Sequence, residues 1–357
     1  MLEIFEKWYR RYFSEEESVV LLVLLAVALA LLMTIGDILA PMLAAIVLAY
    51  LAEGLASRLE ALRVPESLAV FISFLVFAGV FFGVLLGLLP LVWRQLVSLA
   101  GEMPRMLDQA QQFVVLLPER YPGIFSEKQL GELLDSAQTE IAGLGQTVVT
   151  RTLASIPGIV TMMVYMILIP MLVFFFLKDR KKILGWLAAF LPTRRPLLQQ
   201  IWGEMNVQIA NYARGKALEV VIVGGVTYFA FMTLGLNYAA LLALLVGLSV
   251  IIPYIGAALV TLPIVLVGFF QWGLSSEFYW MFGVYLVIQA LDGNVLVPLL
   301  FSEAVNLHPV AIILAVLFFG GIWGFWGVFF AIPLATLIKA VLNAWPRSGE
   351  SEIPVEV

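Results

Sequence analysis

Long apolar runs are the strongest constraint on this chain. Residues 19–35, 38–52, 68–92, 156–177, 217–235 and 278–300 carry almost no charged side chain, and several reach the roughly twenty residues a helix needs to cross a bilayer. Within hydrocarbon every backbone N–H and C=O must be satisfied inside the protein, which only helices and closed barrels achieve. Barrel strands would appear as short alternating segments, whereas these runs are continuous. The expected fold is therefore an all-α polytopic membrane protein. Composition agrees: at 62% hydrophobic, 13% charged and a mean hydropathy of +1.01, a soluble chain of 357 residues could not bury its own apolar surface.

The runs divide the chain. Residues 1–18, "MLEIFEKWYRRYFSEEES", are charged and lack a cleavable signal, so the first span reads as an uncleaved anchor behind a cytoplasmic N-terminus. Residues 19–92 hold three spans, the first two meeting in a tight hairpin at Gly36–Asp37. Charges return over 93–155, where Leu130, Leu133, Leu134, Ile141, Leu144 and Val148 recur at helical spacing behind a cap at Ser126. This stretch is expected to be a periplasmic helical domain, with "LPERYPG" as an irregular connection. A span at 156–177, a basic cytoplasmic loop at 178–216 with its own helical stretch, a second membrane half at 217–342 and a cytoplasmic tail at 343–357 complete the order.

Lys7, Arg10 and Arg11 precede the first span, Arg58 and Arg63 lie in the second loop, and eight Lys and Arg residues crowd the loop after 177. Lys339 and Arg347 mark the C-terminal end, and the Gly36–Asp37 loop has no basic residue. The bias predicts both termini in the cytoplasm of a bacterial inner membrane and 93–155 outside.

The second half departs from plain spans. Residues 251–265 read "IIPYIGAALVTLPIV", placing Pro253, Tyr254, Gly256 and Pro263 within fifteen apolar positions. Residues 309–342 are broken likewise by Gly320, Gly321, Gly324, Gly327 and Pro333. Backbone groups freed inside lipid cost several kcal/mol each unless protein or water satisfies them. Such breaks persist where they face a cavity, and paired interruptions in two parts of a chain are a sequence pointer to a transporter's binding site. Loop charges would have the two broken pairs, 239–271 and 309–342, enter from opposite faces as an inverted repeat. The plainer alternative is that the prolines only kink ordinary spans.

Polar residues support a cavity. "QALDGNVLVP" sets Gln289, Asp292 and Asn294 ahead of Pro298 in an otherwise apolar run. An ionised Asp at the bilayer centre costs roughly 2.5–3.5 kcal/mol on insertion scales, so Asp292 should face protein or water. It could hold a cation, carry a proton or pair with a cationic group; the alternative is that it ties a neighbouring helix. Glu219 follows "ARGK", so snorkelling or pairing with Arg214 or Lys216 competes with a transport role. His308, the only histidine, precedes Pro309 and reads first as a loop residue at a helix start. Gly320, Gly321, Gly324 and Gly327 suit close packing by default and a moving hairpin as the sharper reading.

Absent motifs narrow the classes. No G-x-x-x-x-G-K stretch exists for a phosphate-binding loop, and one histidine cannot build an H-E-x-x-H zinc site. "LDGN" faintly resembles half of an intramembrane aspartyl protease, but a second deep Asp is missing. There is no cysteine, hence no thiol chemistry. An enzyme, a cofactor, a metal site and a nucleic-acid partner are not expected.

"VFFFLKDR" (173–180), "YARGK" (212–216), "GLSVIIPYIGA" (247–257), "QALDGNVLVPLLFSEAVNLHPVAIILAV" (289–316) and "FGGIWGFWGVFFAIPLATLIKAVLNAWP" (319–346) closely resemble the autoinducer-2 exporter family. The resemblance covers nearly the whole chain and is most specific after residue 205. It implies an inner-membrane transporter of about eight spans and a homo-oligomer, with a pentamer as one stoichiometry. Family members are associated with export of autoinducer-2, others with sodium(lithium)/proton antiport. Carried over by motif, the implied pathway and gate positions are Pro253, Tyr254 and Gly256, then Asp292, Asn294 and Pro298, then Gly320, Gly321, Gly324 and Pro333.

The expectation is a secondary transporter of a small polar solute or ion such as autoinducer-2, Na+ or H+. Its broken hairpins alternate as gates in an elevator-like motion, and the first spans form the oligomerisation scaffold amid membrane lipids. The alternatives are a channel, or a scaffold that recruits a protein through residues 93–155.

Overall fold

In the computed structural model the described residues are 16–120, 156–193, 195–253, 255–301 and 307–344. The helix expected behind Ser126 and the side chain of Tyr254 lie outside them.

Every regular element among the described residues is helical, and eight segments are long and apolar enough to cross a membrane. In chain order they are α1 (Glu16–Ala61), α2 (Glu66–Gly83), a π-helical turn (Val84–Leu88), α3 (Leu89–Arg120), α4 (Ile156–Lys178), α5 (Arg180–Ala188) and α6 (Pro196–Leu234). There follow α7 (Ala239–Ser249), α8 (Ile255–Trp272), α9 (Ser276–Leu291), a second π turn (Asp292–Leu296), α10 (Val297–Phe301), α11 (Pro309–Phe329) and α12 (Ala331–Ala344). The all-α polytopic expectation and its eight spans are met.

At the expected hairpin, α1 leaves helical geometry at Ile35 (φ −129°, ψ 20°), and its two apolar spans part between Gly36 and Ile38. Its arms double back onto one stretch of α6, Glu17 bonding Leu197 and Tyr50 bonding Asn206. The helical stretch expected within the basic loop 178–216 does not end there: from Pro196 at the first helical position, α6 runs unbroken through the next span to a left-handed Gly235 (φ 73°). No proline interrupts α6 after Pro196, and Glu17 Oε2 of α1 caps its start by accepting the Leu197 N–H at 2.9 Å.

Lipid offers helices no hydrophobic reason to associate, so packing rests on small residues and shape. Helix α6 is the hub, touching α1, α7, α9, α10 and α12. Where α6 crosses α7, a Cβ on Gly247 would lie 3.1 Å from the Gly224 Cα, so the two backbones touch. The largest core joins α6, α7, α8 and α9 around Phe231, Met281 and Tyr285, each fully buried. A smaller core of Ala45, Ala49, Ala52, Val173 and Leu177 packs α1 on α4. Outward positions such as Ile167 and Val221 are 70% exposed, the surface a lipid-facing helix presents.

The first broken pair, α7 and α8, turns back on itself: Gly256 abuts the Ser249 carbonyl so closely that a Cβ would overlap it. Seven residues of straight helix would hold those positions about 10.5 Å apart. The second reversal lies within α11, at Trp323 and Gly324 (φ 57°, ψ −135°), and brings Gly327 against the Phe319 carbonyl. Ile252, from the first break, packs into the Ala315–Val316–Ala331 core of the second pair.

Candidate substrate site at the helix breaks

The site begins with backbone groups that the breaks release. Helix α7 is capped at its start by Gln95 of α3, whose Oε1 accepts the Leu241 N–H at 2.8 Å. At its end, Pro253 has no N–H to return to the Ser249 carbonyl, which accepts instead from the Ile252 N–H at 3.0 Å. The Val250 carbonyl is taken by a side chain from another helix: Lys216 Nζ of α6 donates to it at 2.7 Å. In the second pair, Pro333 likewise has no N–H for the Phe329 carbonyl. That carbonyl accepts a long hydrogen bond, 3.4 Å, from the Tyr212 hydroxyl of α6.

Tyr212, Lys216 and Glu219 stand at i, i+4 and i+7 on α6 and so share one face. All three are buried, Glu219 to 1% exposure. The Lys216 ammonium also donates to Glu219 Oε2 at 2.7 Å and lies 5.1 Å over the Phe301 ring. A buried ion pair survives desolvation only when further hydrogen bonds complete it, and the Val250 carbonyl supplies one.

This stripe faces a cavity of about 600 Å³. Its polar wall comprises Tyr212, Lys216, Glu219, Ser249, Gln289 and Asp292; Pro253, Pro298, Phe301 and Ile332 are among its apolar lining. The second π turn brings Asp292 and Gly293 to that wall, a distortion common at functional sites. Asp292 Oδ1 and Gln289 Nε2 are buried and make no hydrogen bond to protein, an acceptor and a donor directed at the same space.

The sequence-predicted residues separate cleanly. Pro253, Gln289, Asp292, Pro298 and Glu219 line the one cavity. Gly256 does not line it but forms the crossing behind it. Asn294 points elsewhere: its side chain is exposed and its Nδ2 donates to the Ala290 carbonyl one turn back, at 2.8 Å. Glu219 does not snorkel; it is buried on Lys216. Arg214 is not its partner but lies against Gly54 of α1, its Nε without a hydrogen bond. His308 caps α11, its Nδ1 accepting the Val310 N–H at 3.2 Å. Pro263 lies inside α8, Gly320 and Gly327 pack across the reversal at Gly324, a Cβ on Gly321 would meet nothing, and Pro333 is buried in α12.

Sequence reasoning missed Tyr212, Phe301 and the central part played by Lys216. The available signal was "YARGKALE": a tyrosine, a cation and an anion on one helical face where the apolar run begins.

Comparison with known proteins follows the same geometry. Residues 19–347 match the family described as AI-2E family transporter. The chain is 49% identical to "Putative permease PerM" of Escherichia coli (strain K12), over 97% of this chain and 98% of that protein. It is 27% identical to "Putative transport protein YueF" of Bacillus subtilis (strain 168), over 84% of this chain and 82% of that one. With a match that spans both helix breaks and the charged stripe between them, the chain belongs to the AI-2E family of membrane transporters.

Proposed function

We propose that the protein is a secondary transporter of the bacterial inner membrane that moves a small polar solute or ion by alternating access, both termini cytoplasmic. The broken pairs α7–α8 and α11–α12 act as gates on opposite sides of the cavity, and Asp292 and Gln289 bind the solute. Helices α1, α2 and α4 form the scaffold through which copies associate, and the second half moves against it in an elevator-like manner. One observation carries this reading: the cavity lies where both breaks meet α6 and holds two carboxylates, an ammonium and an unpaired amide within an apolar bundle. Intramembrane ionisable groups are costly and mark solute or ion pathways.

The test is flux in proteoliposomes of purified protein, wild type beside Asp292→Asn, under a pH gradient with sodium and autoinducer-2 offered separately. Gradient-driven movement that the variant loses is the expected result. Movement unchanged by Asp292→Asn would remove that residue from the mechanism. No movement of any solute by folded protein would turn the reading towards a scaffold acting through residues 93–155.

A further inference from the structure

The surroundings of the Lys216 ammonium suit a bare monovalent cation as well as they suit a lysine. The Val250 carbonyl lies just past the C-terminal end of α7, the negative pole of that helix, 2.7 Å from Nζ. Glu219 Oε2 lies equally close, and the Phe301 ring presents its face at 5.1 Å. Asp292, from the π turn, lines the same cavity, and its buried Oδ1 has no protein partner. Carbonyls at the ends of interrupted membrane helices, joined by carboxylates, are the means by which such helices coordinate alkali ions. In this chain a four-carbon stem from α6 brings a cation to that position from within.

We propose that the Val250 carbonyl with the Glu219 and Asp292 carboxylates forms a monovalent-cation site whose resident cation is the Lys216 ammonium, so that truncating Lys216 opens it to sodium or lithium. The inference shares its cavity with the transport reading but does not need transport to occur. Charge sets the valence: the site already holds a single positive charge, and no group of three His, Cys, Asp or Glu suited to a metal exists among the described residues. Among the described residues, α7, α8 and α10 carry no titratable side chain, Tyr285 of α9 is engaged with Thr261 at 2.7 Å, and Tyr212 is directed at Phe329. A consequence is that the wild-type protein needs no sodium to complete this site.

The experiment is thermal unfolding of detergent-purified protein in sodium, lithium or choline chloride at equal ionic strength. Wild type is expected to unfold at one temperature in all three. Lys216→Ala should unfold about 4 °C higher in saturating sodium or lithium than in choline, as a ligand bound only by the folded state requires. Adding Asp292→Asn should remove that rise, and Lys216→Met, which refills the space without charge, should show none. A monodisperse Lys216→Ala that ignores sodium overturns the proposal. If it cannot be recovered, Lys216→Gln takes the same scan; failure of both to fold in sodium also counts against the site, since bound sodium should replace the missing charge. Absence of flux in vesicles would leave these outcomes untouched, so the two readings can fail separately.

Discussion

At the first break, Pro253 leaves the Ser249 carbonyl without its usual donor, and Gly256 crosses that carbonyl with no room for a side chain. At the second, Pro333 deprives the Phe329 carbonyl, and Gly327 crosses the Phe319 carbonyl in the same manner. The backbone device is shared; its filling is not. Around the first break stand Lys216, Glu219, Ser249 and Asp292, facing a cavity. Around the second, Trp323 and Trp326 stack on Phe330 with centroids 6.0 and 6.2 Å away, and Trp323 presses on Gly36 beside the kink in α1. A broken helix is therefore only a joint. It becomes a site where a neighbouring helix brings charge to the freed carbonyls, and a packing contact where aromatic rings cover them.

The largest effects should come from the shared device. Gly256→Val and Gly327→Val each drive a side chain into a backbone carbonyl that cannot yield, and each should abolish recovery of monodisperse protein on size-exclusion chromatography. Gly293→Ala and Gly321→Ala meet nothing within 4 Å and should elute as wild type. If only one valine variant fails, the two joints are not equivalent.

Charge distinguishes the breaks next. Lys216→Met leaves Glu219 buried with no counter-charge and the Val250 carbonyl with no donor, so unfolding should lose about 3–5 kcal/mol. Lys216→Met/Glu219→Leu should regain most of that loss, since an apolar pair needs no desolvation. Both are read by thermal unfolding. Equal losses in the single and double variants would show that the carbonyl bond, not the pair, holds α7 in place. At the second break the comparable point is Gly324, whose φ of 57° and ψ of −135° suit glycine alone. Gly324→Ala should lose about 1–3 kcal/mol in the same assay.

Much of the first break was legible because proline and glycine act locally. Pro253 and Gly256 mark where α7 must end, and the apolar run around Asp292 marks a group that must face protein or water. The orientation of Asn294 was not legible: it follows from the π turn at Asp292–Leu296, which no composition signals. The length of α6 was hidden as well, because the basic residues that suggest a loop also suit a helix, and no breaker separates them from the apolar run. Lys216 read as one more cation of the basic loop and as one of two pairing options for Glu219. Only the fold carries the end of α7 against it, and contacts between distant segments leave no periodicity to read.

The smallest effect tests the comparison most finely. Tyr212 and Lys216 sit one turn apart on α6, and each donates to a carbonyl at a helix break, but the Tyr212 bond is neutral and 3.4 Å long against 2.7 Å for a charged one. Neutral hydrogen bonds contribute about 1 kcal/mol net, and long ones less. Tyr212→Phe keeps the ring that packs against Phe301 at 6.0 Å and removes only the hydroxyl, so its loss on thermal unfolding should be about 0.5 kcal/mol. A loss as large as that of Lys216→Met would mean that the Phe329 carbonyl depends on Tyr212 as strictly as Val250 depends on Lys216. The second break would then be held through the polar face of α6 after all, with its aromatic rings as cover. A loss within the expected range would leave the rings as its main support and assign the charged stripe to the first break alone.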